Sequence, residues 1–343
     1  MTTFARMVCA VAALALLVAG WTANGQADEP TGEQAGDIPD LGGIWTNASL
    51  TKLERPGWVE GLVLTPEEVA RIEGRIAGLI EAGNEALDPD APAPEAAGNG
   101  EGDVGAYDRA WFDFGTRVAT LDGEPLSSWV VDPPTGRLPY SKKGLAAFRA
   151  AKAAADGFDG PEVRGPADRC LMGSGGSHGP PMMNAAYNNN YLIMQEEDAV
   201  LILSEMIHTP RVVRLNAEHK PRGVHHWAGD SVGHYEDGAL VVRTTNFHPE
   251  SGFRQGAAMF ISPDATVTER FSRIDDTTLL YEFEIDDPDI YRQVWKGRMP
   301  LRAAEGPIYE YACHEANYSL RGILAGQRRE ERLARETEME TDG

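Results

Sequence analysis

Between Thr278 and Ile285 the side chains alternate strictly: Leu279, Tyr281, Phe283 and Ile285 fall on one face, Glu282 and Glu284 on the other. Successive Cβ atoms of a strand point to opposite faces, so a period of two describes a half-buried strand. Such a strand needs a second apolar face to cover it. Related short runs recur at Tyr191 to Gln195, Ala199 to Ile207, Arg211 to Leu215, Val232 to Tyr235, Ala239 to Asn246, Val267 to Ile274, Tyr291 to Met299 and Ile308 to Cys313. Glu236-Asp237-Gly238 and Asp275-Asp276 separate neighbouring runs as hairpin turns. About nine or ten strands at hairpin spacing, without a βαβ rhythm, predict a mainly β fold. The expected form is an antiparallel, calycin- or lipocalin-like barrel, with a β-sandwich or cupin-like fold as the alternative.

Peripheral helices are written into the same chain. Thr65-Pro66-Glu67-Glu68 combines a capping Thr, a Pro at the first helical position and a Glu three residues after the cap. Val69, Ile72, Ile76, Leu79 and Ile80 follow at helical spacing, so the helix runs to about Ala82. Ser141 to Ala155 and Ser319 to about Glu336 read as further helices. Leu41-Gly42-Gly43-Ile44-Trp45 reads as the first packed strand, its Trp available to plug one end of a barrel.

The start of the chain has a different character. A short charged segment, an apolar run from Met7 to Gly20 and small residues up to Ala27 match a secretory signal. The expected organisation is a signal peptide at 1–27 cleaved near Ala27, a flexible leader at 28–40, one β-rich domain at 41–336 and a tail at 337–343. Within the domain, 86–105 is rich in Asp, Pro, Ala, Gly and Glu and has too little apolar surface to offset chain entropy, so a mobile loop is expected there. The protein is therefore expected in the periplasm or secreted, without stable membrane insertion. Loss of the signal removes Cys9 and leaves Cys170 and Cys313. An even pair in an oxidising compartment reads as a disulfide. The alternative for Cys313 is a nucleophile beside His314.

Charge narrows the partners. Fifty-three acids oppose 31 bases, a formal charge of −22, and such a field repels nucleic acid and anionic membrane. A small organic molecule is the expected partner.

Two stretches concentrate chemistry-bearing residues. Trp227-x-Gly229-Asp230-Ser231-x-Gly233-x-Tyr235-Glu236 leads into Leu240-Val241-Val242 and Thr244-Thr245-Asn246-Phe247, and Tyr309-Glu310-Tyr311-Ala312-Cys313-His314-Glu315-x-Asn317-Tyr318 closes the strand series. With Glu205-Met206-x-His208-x-x-Arg211 and Tyr281-Glu282-Phe283 before Asp286-Asp287-Pro288, these resemble the marks of a large uncharacterised family of exported bacterial proteins. The resemblance spans nearly the whole mature chain and implies no particular reaction. The expected barrel is also loosely similar in architecture to lipocalin-like hydratases and isomerases of apolar compounds, a likeness that does not fix function.

From the residues themselves, His208 suits a proton transfer near neutral pH, with Glu205 or Asp230 to orient it. Its alternative is a rim histidine bonded to backbone. Tyr311 and His314 form a second acid–base pair if both face inward; otherwise His314 is a buried, satisfied residue. Arg211, His225, His226, Trp227, Asn246 and Asn317 are candidate substrate contacts, although Arg211 in so acidic a chain also reads as half of a salt bridge. His225, His226, His234 and Glu236 are the alternative set for a divalent transition metal. Gly229-Asp230-Ser231-Val232-Gly233 has the Gly-x-Ser-x-Gly spacing of a nucleophile elbow but not its strand-turn-helix setting, so a bulge shaped by the glycines is expected. No nucleotide fingerprint or phosphate loop is present. Together these features lead to a cofactor-free lyase, hydratase or isomerase acting on a small, mainly apolar molecule. The competing reading is a periplasmic binding or carrier protein.

Overall fold

The computed structural model describes residues 38–83, 112–155, 157–173, 177–254 and 259–341. The expected signal peptide at 1–27, the loop at 86–105 and nearly all of the leader at 28–40 lie outside these residues. In chain order come β1 (Gly43–Thr46), α1 (Pro66–Gly83), the short strands β2 (Thr120–Leu121), β3 (Glu124–Pro125) and β4 (Val130–Asp132), and α2 (Lys142–Ala155). β5 (Asn190–Gln195), β6 (Ala199–Ser204), β7 (Pro210–Leu215), β8 (Asp230–Glu236) and β9 (Ala239–Thr245) follow. A two-stranded ribbon of β10 (Phe253–Arg254) and β11 (Met259–Phe260) precedes the long strands β12 (Thr266–Asp275), β13 (Thr278–Asp286) and β14 (Trp295–Ala303). The last elements are α3 (Cys313–Ala316) and α4 (Tyr318–Thr341).

Nine strands close into a barrel in the order β1-β5-β6-β7-β8-β9-β12-β13-β14, with β14 returning to β1. The second edge of β14 is shared: Lys296 and Gly297 face β4, while Arg302 and Ala303 face β1. All ring pairings are antiparallel except one. β7 and β8 run parallel, with Val213 opposite Ser231, which corrects the fully antiparallel expectation. Antiparallel neighbours need only a short turn, whereas a parallel pair needs a connection long enough to run back along the strand. Residues 216–229 provide it. The β8–β9 hairpin has the expected turn, with Asp237 and Gly238 both at positive φ.

The alternating pattern fills the barrel. Leu279, Tyr281, Phe283 and Ile285 of β13 point inward with Val267 and Phe271 of β12 and Val200 and Ile202 of β6. Trp45 is buried and donates from Nε1 to the Leu41 carbonyl at 2.9 Å. Packing is close enough that a Cβ at Gly297 would lie 2.1 Å from Phe283 Cζ. The segment 177–183 enters the barrel: Met182 and Met183 join its core, and the Met182 amide donates to the Tyr281 hydroxyl at 2.9 Å.

Outside the barrel, α1 starts with the expected reciprocal cap. The Thr65 amide donates to Glu68 Oε2 at 2.8 Å, and the Glu68 amide to Thr65 Oγ1 at 3.2 Å. The expected strand at Ile308 to Cys313 does not form, because Tyr309 is 69% exposed and no apolar face backs the Tyr-Glu-Tyr alternation. Cys313 instead begins α3, and α4 extends five residues beyond its expected end, into the expected tail. Cys170 and Cys313 pair as a disulfide with their Cα atoms 5.8 Å apart. No helix of the described residues is long and apolar enough to cross a membrane.

Candidate functional site

The residues nominated by sequence separate into three places. His208 and Glu205 lie at the irregular turn that links β6 to β7, where Ile207 and His208 take positive φ. Both side chains hold the segment before α3. His208 Nε2 meets the Tyr309 carbonyl at 2.7 Å, and the Tyr311 amide donates to His208 Nδ1 at 3.4 Å. Buried Glu205 accepts from Asn190 Nδ2 at 2.8 Å and from the Tyr309 amide at 3.4 Å. His208 is thus the backbone-bonded rim histidine: its ring meets the 309–311 backbone, and only its amide reaches Glu205, at the carbonyl.

Asp230 stands apart, at the parallel seam. Gly229, at φ +75° and without room for a Cβ beside Thr244 Cγ2, turns the chain so that Asp230 is buried at the start of β8. Arg214 Nη2 donates to both carboxylate oxygens at 2.9 and 3.1 Å, His219 Nδ1 lies at 3.1 Å, and the Lys220 amide donates at 2.8 Å. Burial pushes the Asp230 pKa up, but these partners outweigh it and hold the carboxyl below its usual range. A carboxylate so fully engaged stabilises the seam and is not a free base. Where β7 and β8 part, a cleft of about 390 Å³ opens, lined by Arg211, Arg214, Lys220, His226, Trp227 and Asp230 among others.

The histidine-rich stretch runs along the outside. As part of the long parallel connection, His225 and His226 are exposed. His226 pairs with Lys220 Nζ at 3.1 Å and Trp227 stacks on His248 with ring centroids 4.1 Å apart. Asn246 donates to the Lys220 carbonyl at 3.0 Å, tying the connection down. His234 and Glu236 pair with each other at 3.1 Å on the outer face of β8. The four residues of the alternative metal set therefore do not converge, and the described residues contain no group of three or more His, Cys, Asp or Glu able to hold a metal ion.

His314 is exposed, which corrects both the inward Tyr311–His314 pair and the buried alternative. Asn317 Nδ2 donates to the Asp168 carbonyl at 2.7 Å, and its Oδ1 accepts from the Leu320 amide at 3.3 Å. That is a helix cap, not a substrate contact.

A polar centre lies inside the barrel; of its residues the sequence marks only Arg211, as a substrate contact or half of a salt bridge, and the structure shows the salt bridge. Arg211 and Glu269 occupy inward positions of β7 and β12, 3% and 0% exposed. Arg211 Nη2 donates to Glu269 Oε1 at 2.9 Å, Nη1 donates to Oε2, and the Tyr281 hydroxyl donates to Oε1 at 2.8 Å. Burial acts against the Arg211 charge, and Glu269 more than offsets it, so the guanidinium pKa is raised. Tyr191 donates to the Ser177 carbonyl and accepts from Asn47 Nδ2 at 3.2 Å.

Two further buried groups complete the centre. His178 accepts the Gly173 amide at Nδ1, 3.2 Å away, which puts its proton on Nε2. Burial, with Arg254 and Arg211 close by, holds its pKa well below the usual histidine value, so the ring is neutral. Arg254 is carried in by the β10–β11 ribbon. Burial alone lowers its pKa to about 10, which still leaves it charged near neutral pH. Its Nε, Nη1 and Nη2, His178 Nε2 and Arg211 Nε are buried without a hydrogen-bond partner. Each is a donor. A buried donor left unpaired costs about 1–3 kcal/mol, and more when charged.

The largest cavity among the pockets described, about 760 Å³, lies elsewhere, between α1 and the segments around Trp58 and Phe114. There Arg71 already stacks on Trp58, 4.3 Å from the ring centroid, and none of the nominated residues lines it. The interior centre carries more chemistry because its donors remain unsatisfied.

No protein-family model, curated protein or solved structure matches the chain.

Proposed function

We propose that the protein is an exported binding or carrier protein whose barrel holds a small, mainly apolar organic molecule, with the interior polar centre fixing one end of it. The observation that carries this reading is that His178, Arg211 and Arg254 each bury an unpartnered donor beside the apolar core, with both arginines close enough to His178 to act on its charge. Binding sites of small molecules combine apolar walls with a few directed polar groups in this way. Export is supported by the Cys170–Cys313 pair and by the signal-like start of the chain.

Binding takes precedence over acid–base turnover on specific grounds. Glu205, His208, Asp230 and Glu269 are each occupied by structural hydrogen bonds, and His314 faces solvent. Titration with Nile red, a neutral apolar dye, tests the reading. Saturable fluorescence enhancement, displaced by small amphipathic molecules that are recovered unchanged, is expected. A protein that gives no saturable signal, or that converts its displacers, is not this carrier.

A further inference from the structure

The barrel's polar centre has a sign as well as a place. Its charged members are Arg211, Glu269 and Arg254, while Tyr191, Tyr281 and His178 are neutral. Arg211 and Glu269 cancel through two hydrogen bonds. Arg254 has no hydrogen-bond partner, carboxylate or other, among the described residues. One positive charge is therefore left over. Nearly every unpartnered group around it is a donor: Arg254 Nε, Nη1 and Nη2, Arg211 Nε and the neutral His178 Nε2.

We infer that the ligand carries a single carboxylate, which the planar guanidinium of Arg254 takes up, with His178 Nε2 and Arg211 Nε as neighbouring donors. This inference rests on the binding reading above and specifies its ligand class. A guanidinium fork matches the two oxygens of a carboxylate better than a lone hydroxyl or carbonyl. One negative charge balances the centre, whereas a phosphate dianion overcompensates it. The core that these donors adjoin is apolar, with Met182, Met259 and Ile261 among its members, which favours an apolar remainder for the ligand. Arg254 itself sits on a ribbon whose register places it opposite Met259, so the charged head and apolar wall belong to one structural unit.

Matched pairs of probes test this: octanoate against octanol and benzoate against benzyl alcohol, each displacing Nile red from the full chain. The wild type is expected to bind the acid of at least one pair about tenfold more tightly than its alcohol. Arg254→Met should bring that ratio close to one, and Arg254→Lys, which retains the charge without the fork, should give an intermediate ratio. If Arg254→Met does not fold, the wild-type and Arg254→Lys ratios decide. Nile red displaced equally by acid and alcohol, or a preference that survives loss of Arg254, overturns the carboxylate site and leaves the carrier reading standing. Failure of Nile red itself to bind removes both.

Discussion

Arg211 and Glu269 reach each other across the barrel interior from β7 and β12, joined by two hydrogen bonds and almost fully shielded from water. Removing one partner leaves an uncompensated buried charge, which typically costs about 3–5 kcal/mol, whereas replacing both by apolar residues is often neutral. Arg211→Met should therefore destabilise the protein by about that amount, and Arg211→Met/Glu269→Met should recover most of it. Urea denaturation of the two single variants and the double variant measures the coupling; additive losses would show that the pair is not a unit.

Arg254 predicts the opposite sign. Its guanidinium is buried without a partner, so Arg254→Met in protein freed of ligand should be more stable, by about 1–4 kcal/mol on the precedent of buried charges replaced by apolar groups. Calorimetry of delipidated wild type and variant checks this, and a lower melting temperature in the variant contradicts it.

Two groups set the acid limit of stability. The folded pKa of His178 lies well below the 6.5 of an ordinary histidine. The unfolded chain therefore takes up this proton first, and the stabilising contribution, complete above about pH 6.5, is lost as pH falls below it. The folded pKa of Asp230 lies below the usual 3.8, so its contribution is present above that value and is lost at still lower pH. Denaturation free energy should decline by up to about 1.4 kcal/mol per pH unit from His178 alone below pH 6.5. His178→Gln should flatten this segment of the profile without changing the Asp230 limb. A wild-type profile flat from pH 7 to 5 contradicts the assignment.

Cys170 and Cys313 are separated by 143 positions. Constraint of so long a loop is worth about 4–5 kcal/mol in the chain-entropy model. Cys170→Ser/Cys313→Ser should lose stability of this order and become sensitive to proteolysis at the start of α4, since Asn317 also anchors to the Cys170 region. Equal proteolysis rates for wild type and variant under oxidising conditions would contradict this.

His208 and His314 should behave differently from a catalytic pair. His208→Ala removes both bonds to the 309–311 segment and should cost about 1–2 kcal/mol. His314→Ala, at an exposed position, should stay within about 0.5 kcal/mol of wild type. Thermal denaturation of the two variants gives the comparison.

Much of this architecture is legible in the sequence because a period of two fixes which side chains face inward. Leu279, Tyr281, Phe283 and Ile285 all do so. The same period also marks Glu269 between Val267 and Phe271, and Arg211 before Val213, as inward charges. Arg211 is accordingly a candidate contact, and Glu269 follows from the same alternation. The parallel seam is not legible from alternation, which says nothing about strand direction, although the length of 216–229 exceeds what a hairpin needs. Arg254 was invisible because a two-residue strand has no period. His225 and His226 have the residue type of metal ligands, but the long parallel connection leaves them exposed.

β1 is the first stave to be synthesised; β5 covers one of its edges, and the other waits for the last stave. β1 closes the ring against Arg302 and Ala303 of β14, which follow it by roughly 250 residues along the chain. Throughout that interval the nascent chain has an open edge, and Cys170 has no native thiol to join. A product truncated before Ala303 cannot complete the ring however well its other strands pair. Its exposed edges invite pairing with other chains, so length itself becomes a folding checkpoint.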